Sequence, residues 1–150
     1  MGSLQVLLLK GFSLLVNLVP EGFALWCGKR LGGLFFRLDW EDRKVALDNL
    51  HVAFGGEKSE KDLLAIAQRA FQNLGMMAVE FFRIPKMDAE TFKERVKIEG
   101  LEAALRLLEK KKGVLLLIGH FGNWEMMGLM SKVIGNAIMV IAKPMKKNRW

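Results

Sequence analysis

The sequence predicts an α/β fold: amino-terminal helices, then the start of a β-α-β-α-β parallel sheet. Three observations carry this prediction. Apolar residues recur at helical spacing through the first two thirds of the chain. The period changes at Val96, and two continuous apolar runs follow, Val114–Ile118 and Ala137–Ala142, as expected of strands buried on both faces. The chain therefore divides into an apolar segment over 1–38, a helical block over 39–95 and the first part of an α/β domain over 96–150.

The first segment runs apolar from Leu4 to Val19, broken by Gln5, Lys10 and Asn17, and Pro20 ends it. A second apolar stretch, Phe23 to Leu38, carries Lys29, Arg30 and Arg37. A spanning helix needs about 20 predominantly apolar residues. Two shorter helices bent at a proline instead predict a hairpin lying in one leaflet.

Within the helical block, Asp39 is placed to cap a helix reaching Phe54, where Gly55 and Gly56 stop it. Ser59 with Asp62 resembles a capping box. Behind it Leu63, Ala67, Ala70, Leu74, Met77, Ala78 and Phe81 recur at helical spacing, up to Arg83 and Pro85. Asp88 caps a shorter helix ending near Arg95. His51 falls late in the first of these helices and is assigned no chemical role.

In the last third, Val96–Glu99 alternates like a short strand. The stripe Leu101, Ala104, Leu105 and Leu108 forms a helix ending at Lys110–Gly113. Val114–Ile118 is the second strand, a helix from about Asn123 to Ile134 follows, and Gly135-Asn136 stops it before the third strand. Alternating strands and helices imply right-handed crossovers and a parallel sheet. Ligands of such sheets bind beyond the carboxyl ends of the strands.

Composition excludes several function classes. A 150-residue chain that is 51% hydrophobic is not disordered, and Cys27 alone supports neither a disulfide framework nor a multi-thiolate zinc site. His51 and His120 leave too few ligands for a catalytic zinc unless carboxylates supply the rest, so no metal and no cofactor are expected. The net charge of +7 resides at the ends: +3 over residues 1–38, zero over 39–112 and +4 over 113–150. Positive charge flanking an apolar segment suits an anionic membrane surface and not nucleic acid. With no export signal and no cysteine pair, the remainder is expected in a reducing cytoplasm.

The chemistry concentrates in Gly119-His-Phe-Gly-Asn-Trp-Glu125. Five residues along one continuous helix would turn His120 and Glu125 apart. They meet only if His120 sits on a strand-to-helix turn and Glu125 in the first turn of the helix. Gly119 and Gly122 permit such a turn, and Asn123 is a good N-cap. A carboxylate on one imidazole nitrogen fixes the tautomer and stabilises the imidazolium formed when the other nitrogen takes a proton. No serine or cysteine in the motif serves as nucleophile, so the proton comes from a substrate hydroxyl that attacks an acyl donor directly. Backbone N–H groups at the helix start favour negative charge. Which of these groups act is not readable from the sequence; Gly122 and Asn123 of the turn are assigned to substrate binding.

This string resembles the bacterial lipid A biosynthesis acyltransferases, also called lauroyl/myristoyl acyltransferases. Further blocks carry the resemblance: Arg43 with Asp48-Asn-Leu-His-Val-Ala-Phe54 and Ser59-Glu60, then Lys143-Pro144-Met145 and Asn148-Arg149. It covers the chain from about residue 12 to 150. The resemblance implies an acyl-carrier-protein thioester as donor and a hydroxyl of a lipid A precursor as acceptor. It makes His120 the general base and Glu125 its charge partner. Lys143 and Arg149, with Lys146 and Lys147, become candidates for the anionic head group or the carrier protein. Their alternative is a solvated basic tail. Met126, Met127 and Met130 line either an acyl groove or a core face. The implied location is the cytoplasmic face of a bacterial inner membrane.

Members of that family run to roughly twice this length, so the chain is expected to be an amino-terminal part. Alternatives are acyl transfer to a glycerolipid or a phosphatidylinositol mannoside, or a catalytically incompetent membrane-bound fragment. Glycerolipid enzymes typically place Asp where Glu125 stands.

Overall fold

The computed structural model of the chain describes residues 3–135 and 137–141. They form two compact units, one of the described residues up to 86 together with 120–123, the other of 87–119 with those from 124 onward.

The first unit is built on four helices: α1 (Ser3–Leu18), α2 (Glu21–Leu38), α3 (Trp40–Phe54) and α4 (Glu60–Arg83). Their starts follow local chemistry. Asp39 accepts a hydrogen bond from the Asp42 N–H and begins α3. Ser59 accepts from the Asp62 N–H and donates to the Asp62 carboxylate at 2.6 Å, beginning α4 as the capping box predicts. That hydroxyl bond holds the Asp62 carboxyl below the usual carboxylate range. α4 ends at Arg83 and a 3-10 turn, Ile84–Lys86, follows.

The central contact is an antiparallel pairing of α2 with α4 along two rows of i+4 spacing. Ala24, Gly28, Gly32 and Phe36 face Val79, Gly75, Phe71 and Ala67 in turn. Ridges of this spacing interdigitate when helices pack. Glycine at three of these positions lets the backbones approach closely. A Cβ on Gly28 would stand 2.6 Å from the Gly75 carbonyl oxygen, one on Gly75 would meet the Gly28 carbonyl oxygen, and one on Gly32 that of Phe71. α3 covers the Phe36–Ala67–Phe71 cluster with Ala46, Leu47 and Leu50.

α1 docks at the far end of α4 through Val16, buried beside Val79, through Phe12 edge-on to Phe82, and through two polar side chains. The Phe82 carbonyl lies in the last turn of α4, where carbonyls have no partner within the helix. Ser13 Oγ (3.1 Å) and Asn17 Nδ2 (3.0 Å) donate to it. Arg83 Nη1 in turn donates to the Val16 carbonyl (2.6 Å) and the Val19 carbonyl (3.4 Å), closing the end of α1 with a cation. Of the polar residues that interrupt the apolar run, Asn17 thus points inward beside Ser13, while Gln5 and Lys10 are exposed. Leu4, Leu7, Leu8, Leu14, Leu15 and Leu18 point outward, each more than half exposed. With Gly11 they form one continuous helical stripe. No described helix is long and apolar enough to cross a membrane.

The second unit holds α5 (Ala89–Arg95), capped by Asp88, then α6 (Leu101–Glu109), a 3-10 turn (Trp124–Leu129) and α7 (Met130–Ile134). α5 and α7 pack together, and Phe92 and Leu129 are buried.

The expected α/β fold is not observed. Among the described residues there is no strand: Val96–Glu99, Val114–Ile118 and 137–141 carry no ladder hydrogen bonds. Leu115 and Leu117 are 88% and 96% exposed, where a strand buried on both faces would hide them. A parallel strand needs a neighbour on its edge and helices over its faces, and the apolar run alone supplies neither. Residue 142 of the third expected strand lies outside the described residues. The expected helix from Asn123 to Ile134 is also corrected. A 3-10 turn that includes Gly128, a weak helix former, occupies its first half, and α7 is short. α7 does end at Gly135, which takes the left-handed conformation expected of a helix stop (φ 68°).

Candidate functional site

The motif begins where the chain leaves the apolar run 114–118. Gly122 adopts a left-handed conformation (φ 57°), which a side chain would strain, so the glycine turns the backbone as anticipated. His120 and Phe121 before it are exposed.

Asn123 is not a helix cap. Its side chain, half-buried, reaches back 43 residues and donates from Nδ2 to Glu80 Oε2 on α4 at 2.6 Å. An ionised carboxylate only accepts, so this bond fixes which end of the amide faces α4. Asn123 Oδ1 is left buried with no hydrogen-bond partner. Residues 120–123, His120 among them, belong to the helical unit through this loop. Glu125 is exposed, at the second position of the 3-10 turn of the other unit. Met126, Met127 and Met130 are half-buried within that unit. Lys143, Lys146, Lys147 and Arg149 lie outside the described residues.

Glu80 was not anticipated from sequence. Its signal was nevertheless present, as the single acid in the apolar stretch between Gly75 and Arg83. What the sequence does not state is the residue it would meet. Arg83 likewise read as a helix end, whereas its guanidinium serves α1.

The residues of the amino-terminal block have structural partners. The Arg43 guanidinium lies 5.5 Å from the centre of the Phe36 ring, a cation–π contact. His51 bonds the Leu47 carbonyl through Nδ1 (2.7 Å) and the Glu60 carboxylate through Nε2 (2.8 Å). The Glu60 bond first, then that to Leu47, raises the imidazole above its ordinary range. Asn49 borders an open apolar cavity of about 560 Å³ with Leu31, Phe35, Val45 and Leu74, and none of the predicted site residues lines it. No cluster of three metal-ligating side chains occurs among the described residues.

Against known proteins, the bacterial lipid A biosynthesis acyltransferase family matches residues 3–150. No curated protein and no solved structure is significantly similar to the chain. The match spans the helical unit, the Gly119–Glu125 string and the basic segment after it, and it agrees with the resemblance carried by those motifs. The chain belongs to the bacterial lipid A biosynthesis acyltransferase family and is an acyltransferase of that type.

Proposed function

We propose that the protein moves a fatty acyl group from an acyl-carrier-protein thioester to a hydroxyl of a lipid A precursor, with His120 as general base and Glu125 as its charge partner. The family match over residues 3–150 carries this reading, because that span includes the only His-Glu string flanked by turn-forming glycines. In the reaction the acceptor hydroxyl gives its proton to the imidazole as its oxygen attacks the thioester carbonyl carbon. The tetrahedral oxyanion collapses, the C–S bond breaks, and the imidazolium returns the proton to the leaving sulfur. Glu125 stabilises the imidazolium in between. Gly122 and Asn123 bind substrate at the turn through their backbone, and Lys143 and Arg149, with Lys146 and Lys147, take the anionic head group or the carrier protein.

We further propose that the protein works on the cytoplasmic face of the inner membrane, with its amino-terminal helices embedded in one leaflet. The outward leucine stripe of α1 supports this, since it gains only in an apolar surrounding. Lys10, Lys29, Arg30 and Arg37 supply the attraction to anionic lipid.

Incubating the protein with an acyl-carrier-protein thioester and a lipid A precursor, and weighing the products, tests the reading. The expected product is heavier by one acyl group. Transfer only to a glycerolipid or a phosphatidylinositol mannoside would overturn the acceptor assignment, and transfer only from a coenzyme A thioester the donor assignment.

A further inference from the structure

We propose that Glu80 is a positioning residue of the acyltransferase, holding the His120 loop against the helical unit through the side-chain amide of Asn123. The inference rests on His120 being the general base. Residues 120–123 lie in no helix or strand and contain a glycine in the left-handed conformation, so no ladder of backbone hydrogen bonds fixes them. The Asn123–Glu80 bond, at 2.6 Å and half-buried, ties the loop to α4, the longest helix among the described residues. A hydrogen bond to a charged acceptor is short and roughly twice as strong as a neutral one. Glu80 directly follows Val79 and lies just beyond one turn from Gly75, where α4 lies against α2, so the anchor is on a rigid element.

The chemistry also accounts for Asn at position 123. An Asp there would set two carboxylates against each other, and a Ser would fall short of α4. The amide accepts a cost, since its oxygen stays buried without a donor. That orientation persists only because the Glu80 carboxylate claims the nitrogen end. The pair is therefore specific in direction as well as in distance.

A donor–acceptor swap tests this on the full chain. Asn123→Asp alone places like charges together and releases the loop. Adding Glu80→Gln to it restores the pair in reverse, with the Gln amide donating to the Asp carboxylate. Two readouts are followed: kcat and KM for acyl transfer, and hydrogen exchange of the amides of residues 119–123. Asn123→Asp, and separately Glu80→Ala, are expected to speed exchange of the loop about tenfold or more, and to lower kcat by a similar factor with KM for the acyl donor little changed. Exchange around Gly28 and Gly75 stays as in the native protein. The swap recovers most of both losses, and Glu80→Gln alone is less impaired than Glu80→Ala.

Failure of the swap to restore loop protection would overturn the proposal. So would unchanged exchange in Glu80→Ala, or protection lost along the whole of α4. If Glu80→Ala does not fold, the swap pair decides. If the native protein transfers no acyl group, the functional reading fails while the exchange arm still judges the anchor.

Discussion

Gly28 on α2 and Gly75 on α4 meet backbone to backbone, so close that a methyl group on either would press into the carbonyl oxygen of the other. Gly28→Ala or Gly75→Ala forces the helices apart, and overpacking of this kind costs about 1–3 kcal/mol. Alanine's helix propensity recovers at most about 1 kcal/mol of it. Gly33→Ala is the control, because its Cβ would meet only the flexible side chain of Gln72, at 3.4 Å. Denaturant unfolding should show both contact variants destabilised and Gly33→Ala neutral or slightly stabilised.

Arg83 joins the ends of two helices. Replacing it with Met leaves the Val16 and Val19 carbonyls without their cationic donor, a loss of about 1.5–3 kcal/mol for bonds to a charged group. The loss should be local, with the amides of α1 exchanging faster and those of α2 and α4 keeping their protection.

His51 makes stability depend on pH. Its imidazole is raised in the folded state, so the folded chain holds the proton more tightly than the unfolded one. The stabilisation is fully present below the unfolded value, about 6.5, and is lost as pH rises through the folded value. Glu60→Gln removes the first cause of the shift. An NMR titration should then find the His51 midpoint lowered, with the slope of stability against pH flattened above the ordinary imidazole range.

The outward stripe of α1 makes no contact that folding requires. Leu8→Glu with Leu15→Glu should leave the helical unit folded while weakening sedimentation with anionic vesicles. Losing two apolar side chains from the interface costs about 1.5–3 kcal/mol each, so binding should fall by about two to four orders of magnitude. Binding equal to that of the native protein would remove α1 as the membrane contact.

Local signals were legible in the sequence and non-local ones were not. Asp39, Ser59 and Asp88 each cap the helix assigned to them, because a cap is decided within three or four residues. The helix α4 was visible from its spacing, but the row it buries was not: Leu63 and Ala67 are buried together with Phe71 and Val79, whereas Ala70, Leu74, Ala78 and Phe81 of the expected stripe are exposed. Val114–Ile118 read as a strand from its composition, but a strand exists only with a partner, and composition does not supply one. The Gly28–Gly75 approach joins positions 47 apart in the chain. The Glu80–Asn123 bond likewise needed a partner that no spacing rule names. The Gly119–Glu125 string was recognisable as chemistry, and the family match spans it. The helix expected to begin at Asn123 was wrong because the amide turned to Glu80 in place of capping.

In the proposed reaction His120 removes the proton from the acceptor hydroxyl. Replacing His120 with Ala and measuring acyl transfer to a lipid A precursor tests it most directly, with vesicle sedimentation and the melting curve recorded on the same preparation. A positioned general base contributes about 10²–10⁴-fold. The expected result is a fall in kcat of that order, with membrane binding and melting temperature unchanged. Turnover within about threefold of the native enzyme, well short of that range, would contradict it.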